Sequence, residues 1–545
     1  MDNEKLMSAA VLTGAPAGAE RERMKNEDLT GRDRLVANVN FKWGGHFVFI
    51  VAGFILPRMI DRRLGQELLG VWDFAWSLVS YFGLVAAGIA SSVNRYVARY
   101  RLAGDISGVN AVVSSACCIM AISGLLALGL TVAAFLLLPH MFGVRLEGNV
   151  REAQWVVLFL GASLAVEIAF QAYNGVLTGC HRWGLRNLIE SGWHAVTVVG
   201  QIAAILMGAS LQFLALICLM GIVLAYATRM IFAYRVCQGL RVHPSMVRWA
   251  TIKEQFVFGG KTLIPSISQL LLNQTTSILI VAYLGPAMLA LYSRPRSLIL
   301  QSNTLAKKMS LVLIPTASSL QSRGDLEEVR ELLTKAVRYS CYLVLPITLM
   351  LVIFGGPIME FWMGPRYGNG WLPAILAIGF LVTMVQTPVW PILVGLNAHG
   401  RAGIAELLAS ICSALLIVLG LSVFNWGLLA VAVGVSVPLT IMNVVYLPIL
   451  MRRQIGLDVG RYLRSITVAP MVHVLPFAAC LVVSRLVWSA RPLIGLAVGG
   501  AAGVVVLSIT YWRYVLPDRI KDWVIHYLLR VLRLTGLISA TDAIT

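Results

Sequence analysis

Apolar runs about twenty residues long recur along this chain, and no other feature restricts its fold so severely. A helix crossing roughly 30 Å of hydrocarbon needs about 20 mainly apolar residues, and lipid offers its backbone N–H and C=O groups no partner. Fourteen such runs, numbered here as spans 1 to 14, are separated by charged or Gly/Pro-containing loops: 37–57, 69–92, 109–138, 153–177, 185–208, 211–235, 257–283, 288–320, 334–354, 370–395, 404–423, 427–450, 466–488 and 492–515. Composition agrees, since 58% of the 545 residues are hydrophobic and 13% charged, against about 25% charged in a soluble domain. Tails and loops are too short for a further soluble domain. The expected fold is an all-α integral membrane protein of about 14 transmembrane helices.

The formal charge of +18 is spread through short loops, which speaks for cytoplasmic loops and anionic lipid rather than nucleic acid. With both termini inside, 32 of the 44 Lys and Arg residues fall on the inner side, 8 on the outer side and 4 in span 8. The inner set includes Arg95, Arg99 and Arg101, the stretch from Arg229 to Lys261, Arg323 to Arg338, and Arg452 to Arg464; the outer loops hold Arg62, Arg63, Arg145 and Arg366. This asymmetry follows the positive-inside rule. It predicts a multi-pass protein of the cell inner (plasma) membrane with cytoplasmic termini, topology being anchored by cations such as Arg95 and Arg99. Residues 1–36 lack the apolar core of a signal peptide and read as a cytoplasmic tail, and 516–545 read as a basic amphipathic tail at the interface. The eight cysteines show neither CxxC spacing nor a His cluster. They read as small buried apolar residues, with no metal, disulfide framework or cofactor implied.

The chain repeats itself. At an offset of 220 residues, Leu64-Gly65 falls on Leu284-Gly285 and Gly104-Asp105 on Gly324-Asp325, with ten identities in the 53 positions from 64 to 116. At one residue less, Arg182 meets Arg401. An even, six-helix repeat gives two copies of the same orientation, an arrangement of secondary transporters whose site lies between the halves. The expected organisation is an N-lobe at 37–235, a cytoplasmic linker at 236–256, a C-lobe at 257–450, and two extra helices at 451–515.

Two stretches then carry a resemblance. "ILPRMIDRRLGQELLGVWDFAWSLVSYFGLVAAGIASSVNRYVARYRLAGD" (55–105) looks like the start of a polysaccharide flippase, with a Leu-Gly turn after the first helix and a basic loop after the second. "GVLTGCHRWGLRNLIES" (175–191) resembles the loop between helices 4 and 5 of that group. The likeness covers about 40–515. It implies the polysaccharide/oligosaccharide flippase family of the multidrug/oligosaccharidyl-lipid/polysaccharide exporter superfamily, built as two parallel six-helix lobes in a V plus a C-terminal helix pair. The resemblance implies a transporter and not an enzyme. Its substrate would be a polyprenyl-pyrophosphate-linked oligosaccharide, a cell-surface or exopolysaccharide repeat unit carried to the outer leaflet by lobes rocking about a cationic cavity. Membrane lipids, a polysaccharide polymerase and export machinery are the implied partners, and the chain is expected to act as a monomer. A peptidoglycan lipid-precursor flippase and an ion-coupled drug exporter are rivals within the superfamily, although the cations of span 8 oppose a cavity for cationic drugs. A membrane-bound polysaccharide-synthesis enzyme is the rival from another class, but the outer loops are short and no P-loop is present.

Intramembrane polar residues are costly and normally face protein or water, so they nominate the site. On an ideal helix, Thr262, Ser266, Gln269, Asn273 and Ser277 of span 7 share one face. That stripe suits a water-filled cavity offering hydrogen bonds to sugar hydroxyls, or else glue between packed helices. Lys42 and His46 stand at the repeat-equivalent positions of span 1; Lys42 reads as a phosphate contact or a snorkelling cation, His46 as a proton-linked switch or a structural histidine. Span 8 carries Arg294, Arg296, Lys307 and Lys308 with no acid between them. Such cations can bind a pyrophosphate through paired donors, or contact lipid headgroups. Asp73, where the repeat has Ser293, and Glu167 in span 4 are candidates for ion coupling, a structural ion pair being the alternative.

Overall fold

The computed structural model describes residues 35–518 apart from 87–88, 147, 254–262 and 311–312, together with 521–522 and 525–527. Among the described residues there are helices and turns but no strand, as the backbone argument requires. In chain order the helices are α1 (Leu35–Arg63), α2 (Gln66–Phe82, a 3-10 turn Gly83–Ala86, then Ile89–Leu102), α3 (Ile106–Phe142), α4 (Val150–Phe170 with Ala172–Gly179), α5 (Trp183–Leu206) and α6 (Leu211–Val236). There follow α7 (Leu263–Leu270, a π-turn Leu271–Thr275, Thr276–Leu284), α8 (Pro286–Ser310 with Leu313–Ser322), α9 (Leu326–Met363) and α10 (Trp371–Val385 with Val389–Gly395). The last are α11 (His399–Ser422), α12 (Leu428–Ile441, a π-turn Met442–Tyr446, Leu447–Ile455), α13 (Val459–Val487) and α14 (Pro492–Tyr514).

Twelve helices among the described residues are long and apolar enough to cross a membrane. The two predicted spans outside that dozen are α1 and α8, both helical. In α8 the four cations and the neighbouring Gln, Ser, Asn and Thr hold down the mean hydropathy.

The sequence repeat is written into the backbone. Gly65 and Gly285 open α2 and α8 with φ of 103° and 88°, a region glycine enters without strain. Gly104 and Gly324 match at 71° and 75°. Each is followed by an aspartate N-cap: Asp105 accepts from the Gly108 N–H at 2.8 Å and Asp325 from the Glu328 N–H at 3.0 Å. The helices so capped, α3 and α9, have 37 and 38 residues. At 1.5 Å per residue each is about 55 Å long, several turns beyond the hydrocarbon. The proposed partnership of Arg182 with Arg401 is displaced: the left-handed residues are His181 (φ 56°) and Asn397 (φ 54°). Arg182 therefore caps α5, whereas Arg401 lies inside α11.

The chain divides into two compact units, Met1–Ala290 and Leu291–Thr545, the division falling inside α8. Within the first unit, small residues let helices close up, as they do where lipid supplies no hydrophobic drive. Gly175 and Gly179 of α4 lie against Val93 and Val97 of α2, and Gly161 of α4 against Thr131 of α3. Gly70 of α2 lies against the Pro286 carbonyl at the start of α8, where a Cβ would sit 1.8 Å from the oxygen. Gln66 Nε2 donates to the Ala287 carbonyl at 3.1 Å beside it. In the second unit the corresponding approaches include Gly395 to Ala317, Gly434 to Ile417 and Gly503 to Phe477.

Candidate substrate and coupling sites

The polar face of α7 is built on an irregular helix. The π-turn Leu271–Thr275 adds a residue to the α-helical count, and one residue rotates everything after it by about 100°. The single face reckoned from ideal periodicity accordingly ends there. Before the bulge, Gln269 is exposed and accepts from Asn273 Nδ2 at 3.4 Å; Asn273 is half-buried. After it, Thr276 and Ser277 are buried and hydrogen-bond the Leu272 and Asn273 carbonyls at 2.7 and 3.3 Å. Tyr81 of α2 reaches into the bulge, its hydroxyl contacting Thr275 Oγ1 and donating to the Leu270 carbonyl at 3.5 Å. Thr262 lies outside the described residues, as do the side chains of Ser266, Lys42 and His46.

Glu167 sits in a polar chain that α4, α5 and α6 build inside the first unit. Asn174 Nδ2 donates to the Tyr226 hydroxyl at 3.3 Å, and that hydroxyl donates onward to Glu167 Oε1 at 3.2 Å. Arg229 lies over the Tyr226 ring, 4.5 Å from its centroid. Its guanidinium pairs with Glu190 at 3.5 Å, and Arg186 joins the same carboxylate at 3.2 Å. Counted by sequence among the inner-side cations, Arg229 is in fact 5% exposed. Its neighbours explain the burial: a tyrosine face and a carboxylate replace water. Sequence reasoning found Glu167 and missed Tyr226, Asn174, Glu190 and Arg229. An acid on α5 and a cation on α6 carry no spacing that links them. Asp73, the other candidate acid, is half-buried between Trp72, which is buried, and Phe74.

In the second unit, α8 runs as one helix through Pro295, from Pro286 to Ser310. Arg294 is buried, 7% exposed, and Arg296 is half-buried beside the Tyr292 hydroxyl. Lys307 is exposed, and the side chain of Lys308 lies outside the described residues. The polar band between the arginines and the lysines is largely engaged: Ser302 and Thr304 bond the Leu298 and Leu300 carbonyls, while Asn303 accepts from Thr387 Oγ1 at 3.0 Å. Nearby, Tyr462 donates to Gln386 Oε1 at 2.7 Å, Gln386 Nε2 to the Asn443 carbonyl at 3.4 Å, and Asn443 Nδ2 to the Leu439 carbonyl at 2.7 Å. Asn443 falls in the π-turn of α12. This cluster ties α10, α12 and α13 together, and periodicity gave no sign of it.

Comparison with known proteins bears on what such a scaffold does. A family model described as polysaccharide biosynthesis protein matches residues 107–375. A protein of Shigella flexneri named putative O-antigen transporter is 23% identical over 409 residues, 72% of this chain and 93% of that one. The uncharacterized membrane protein EpsK of Bacillus subtilis (strain 168) is 22% identical over 434 residues, covering 77% of this chain and 84% of its own. The lipid II flippase MurJ, solved in an inward closed conformation, shares the fold of this chain with a TM-score of 0.65 and 14% identity, over 88% of this chain and 100% of its own. An inward-facing multidrug resistance MATE family transporter of the MOP superfamily gives 0.63 and 14%, over 74% and 94%. At 14% identity, these two likenesses show the fold of this chain.

Proposed function

We propose that this protein is a transporter that moves a polyprenyl-pyrophosphate-linked oligosaccharide, a repeat unit of a surface polysaccharide, from the cytoplasmic to the outer leaflet by alternating access. The observation carrying the reading is Arg294: an arginine 7% exposed in the middle of a helix with no Asp or Glu from Pro286 to Ser322. A buried cation on an acid-free helix suits an anionic ligand, and guanidinium matches a phosphate with paired N–H donors. Arg296 and Lys307, with Lys308, add charge along the same helix, and Gln269 and Asn273 on α7 offer both donors and acceptors of the kind sugar hydroxyls need. Lys42, Thr262 and Ser266 extend that set in the proposal. No bond is broken in such a step, so neither a nucleophile nor a cofactor is required.

Glu167 is the proposed coupling acid, its carboxylate held by Tyr226; Asp73 and His46 are the alternates. The test is a deletion strain. Lipid-linked glycan should be assembled but inaccessible to a glycosidase added outside, and a plasmid copy should restore access. Unchanged access in the deletion strain would remove the proposal.

A further inference from the structure

The segment after α6 is a built element, not a slack connector. Three polar side chains on the first turns of α3, all buried, fasten its backbone: Asn110, Ser114 and Ser115 are 7%, 2% and 0% exposed. Asn110 Nδ2 donates to the Gly239 carbonyl at 3.1 Å, and its Oδ1 accepts from the Arg241 N–H at 2.9 Å. Ser114 Oγ accepts from the His243 N–H at 3.2 Å and Ser115 Oγ from the Arg248 N–H at 3.1 Å. Gly239, at φ 80°, makes the turn that begins this path. Buried polar groups on an otherwise apolar helix cost stability unless they are satisfied; here all three are satisfied by the segment's own backbone.

The pinned segment and the start of α3 enclose a cavity of about 470 Å³, and Arg241, Arg248, Ser107 and Ser245 line it. Because the backbone N–H groups of both arginines are tied to α3, their stems leave from fixed points. No Asp or Glu occurs from Cys237 to Lys253, and neither arginine has an ion-pair partner among the described residues. The nearest acid in sequence on α3, Asp105, is engaged in capping Gly108. Two guanidinium groups and the Ser107 hydroxyl around one hollow are a donor set for a phosphate, the Ser245 hydroxyl being bonded to His243 Nδ1 at 2.7 Å. The rim decides its source. Ile106, which lines the cavity, is 42% exposed, and Trp249, next to Arg248, is 77% exposed. Exposed Trp beside Arg is the signature of a membrane interface.

We propose that this cavity holds the phosphate of an anionic phospholipid from the leaflet on the basic side of the membrane, clamping the segment from Gly239 to Arg248. The site is separate from the glycan site and does not depend on it. Purified full-length protein in phosphatidylcholine nanodiscs is titrated with short-chain phosphatidylglycerol while its thermal unfolding is followed. Phosphatidylglycerol should raise the unfolding temperature and inorganic phosphate should not. At about one surface-charge increment per arginine, R241Q/R248Q should need roughly 30-fold more lipid for half the shift. R461Q, an exposed arginine elsewhere on the same side, should respond as the parent does. An unaltered response in R241Q/R248Q would overturn the proposal, and an equal shift from inorganic phosphate would reassign the site to a soluble anion. Should the double variant fail to fold, hydrogen exchange of the parent decides. Amides from Arg241 to Arg248 should exchange more slowly in phosphatidylglycerol than in phosphatidylcholine discs, and equal rates would refute the site.

Discussion

The Tyr226 hydroxyl donates to Glu167 Oε1 at 3.2 Å while accepting from Asn174 Nδ2 at 3.3 Å. The direction of this chain is set by chemistry, since an amide N–H donates only and a carboxylate accepts only. Glu167 is therefore held as an acceptor, with Arg229, Glu190 and Arg186 setting the charge around it. If Glu167 carries the coupled proton, Glu167→Gln keeps the shape and removes the titration. Transport by E167Q into proteoliposomes should fall at least about tenfold and no longer respond to an imposed proton gradient. Tyr226→Phe should retain a gradient response with its pH midpoint moved, because about one net hydrogen bond to the carboxylate is lost. An E167Q protein that responds to the gradient like its parent would release Glu167 from this role.

Gly70 and the Pro286 carbonyl define the tightest helix approach in the first unit that a single methyl can probe. A Cβ at Gly70 would stand 1.8 Å from that oxygen, and the obstacle is backbone rather than a side chain that can turn away. Gly70→Ala should destabilise by about 1–3 kcal/mol, the cost of overpacking. Gly129→Ala in α3 meets nothing within 4 Å and should be neutral or gain up to about 1 kcal/mol from helix propensity. Thermal unfolding in one detergent compares the two directly; equal midpoints would contradict the packing assigned to Gly70.

Much of this architecture could be read from the chain before any coordinates. Hydrocarbon thickness turns apolar run length into helices, and the Leu64-Gly65 and Leu284-Gly285 turns carried the repeat because positive φ leaves few choices but glycine. Contacts set by irregular backbone were not legible. The π-turn at Leu271–Thr275 breaks the periodicity on which the α7 stripe was drawn, and Tyr81, which fills it, had no pattern to betray it. Arg229 was hidden by its position: near a helix end it looks like any inner-side cation, and only the placement of Glu190 and Tyr226 shows that it is buried. The Arg182 and Arg401 alignment slipped because identity at one residue outweighed the left-handed pair, His181 and Asn397, that structure places in register.

Cys180 and Cys237, just past the ends of α4 and α6, hydrogen-bond through their thiols. A hydrogen bond from Cys180 and the charge of Arg101 bring the Cys237 thiol below the ordinary thiol range, while the same bond and burial raise Cys180. The thiolate is the nucleophile, so alkylation of Cys237 by a small reagent should climb at a pH below that of an ordinary thiol. In a Cys180→Ala variant the hydrogen bond is gone and the climb should move toward the ordinary thiol range. Mass spectrometry of the labelled peptide checks this, and identical profiles would show that Cys180 has no influence.

In the proposed function the cations of α8, with Arg294 buried, Arg296 half-buried and Lys307 exposed, bind the pyrophosphate. Reconstituted proteoliposomes carrying a fluorescent lipid-linked oligosaccharide, with translocation read by protection from an external glycosidase, test it most directly. Arg294→Gln should lower the initial rate by about 10-fold or more, as expected when a charge-assisted phosphate contact is removed. The combined substitution of Arg294, Arg296, Lys307 and Lys308 by Gln should abolish translocation, with the protein still folded by its thermal midpoint. Parental rates in the folded quadruple variant would contradict the account.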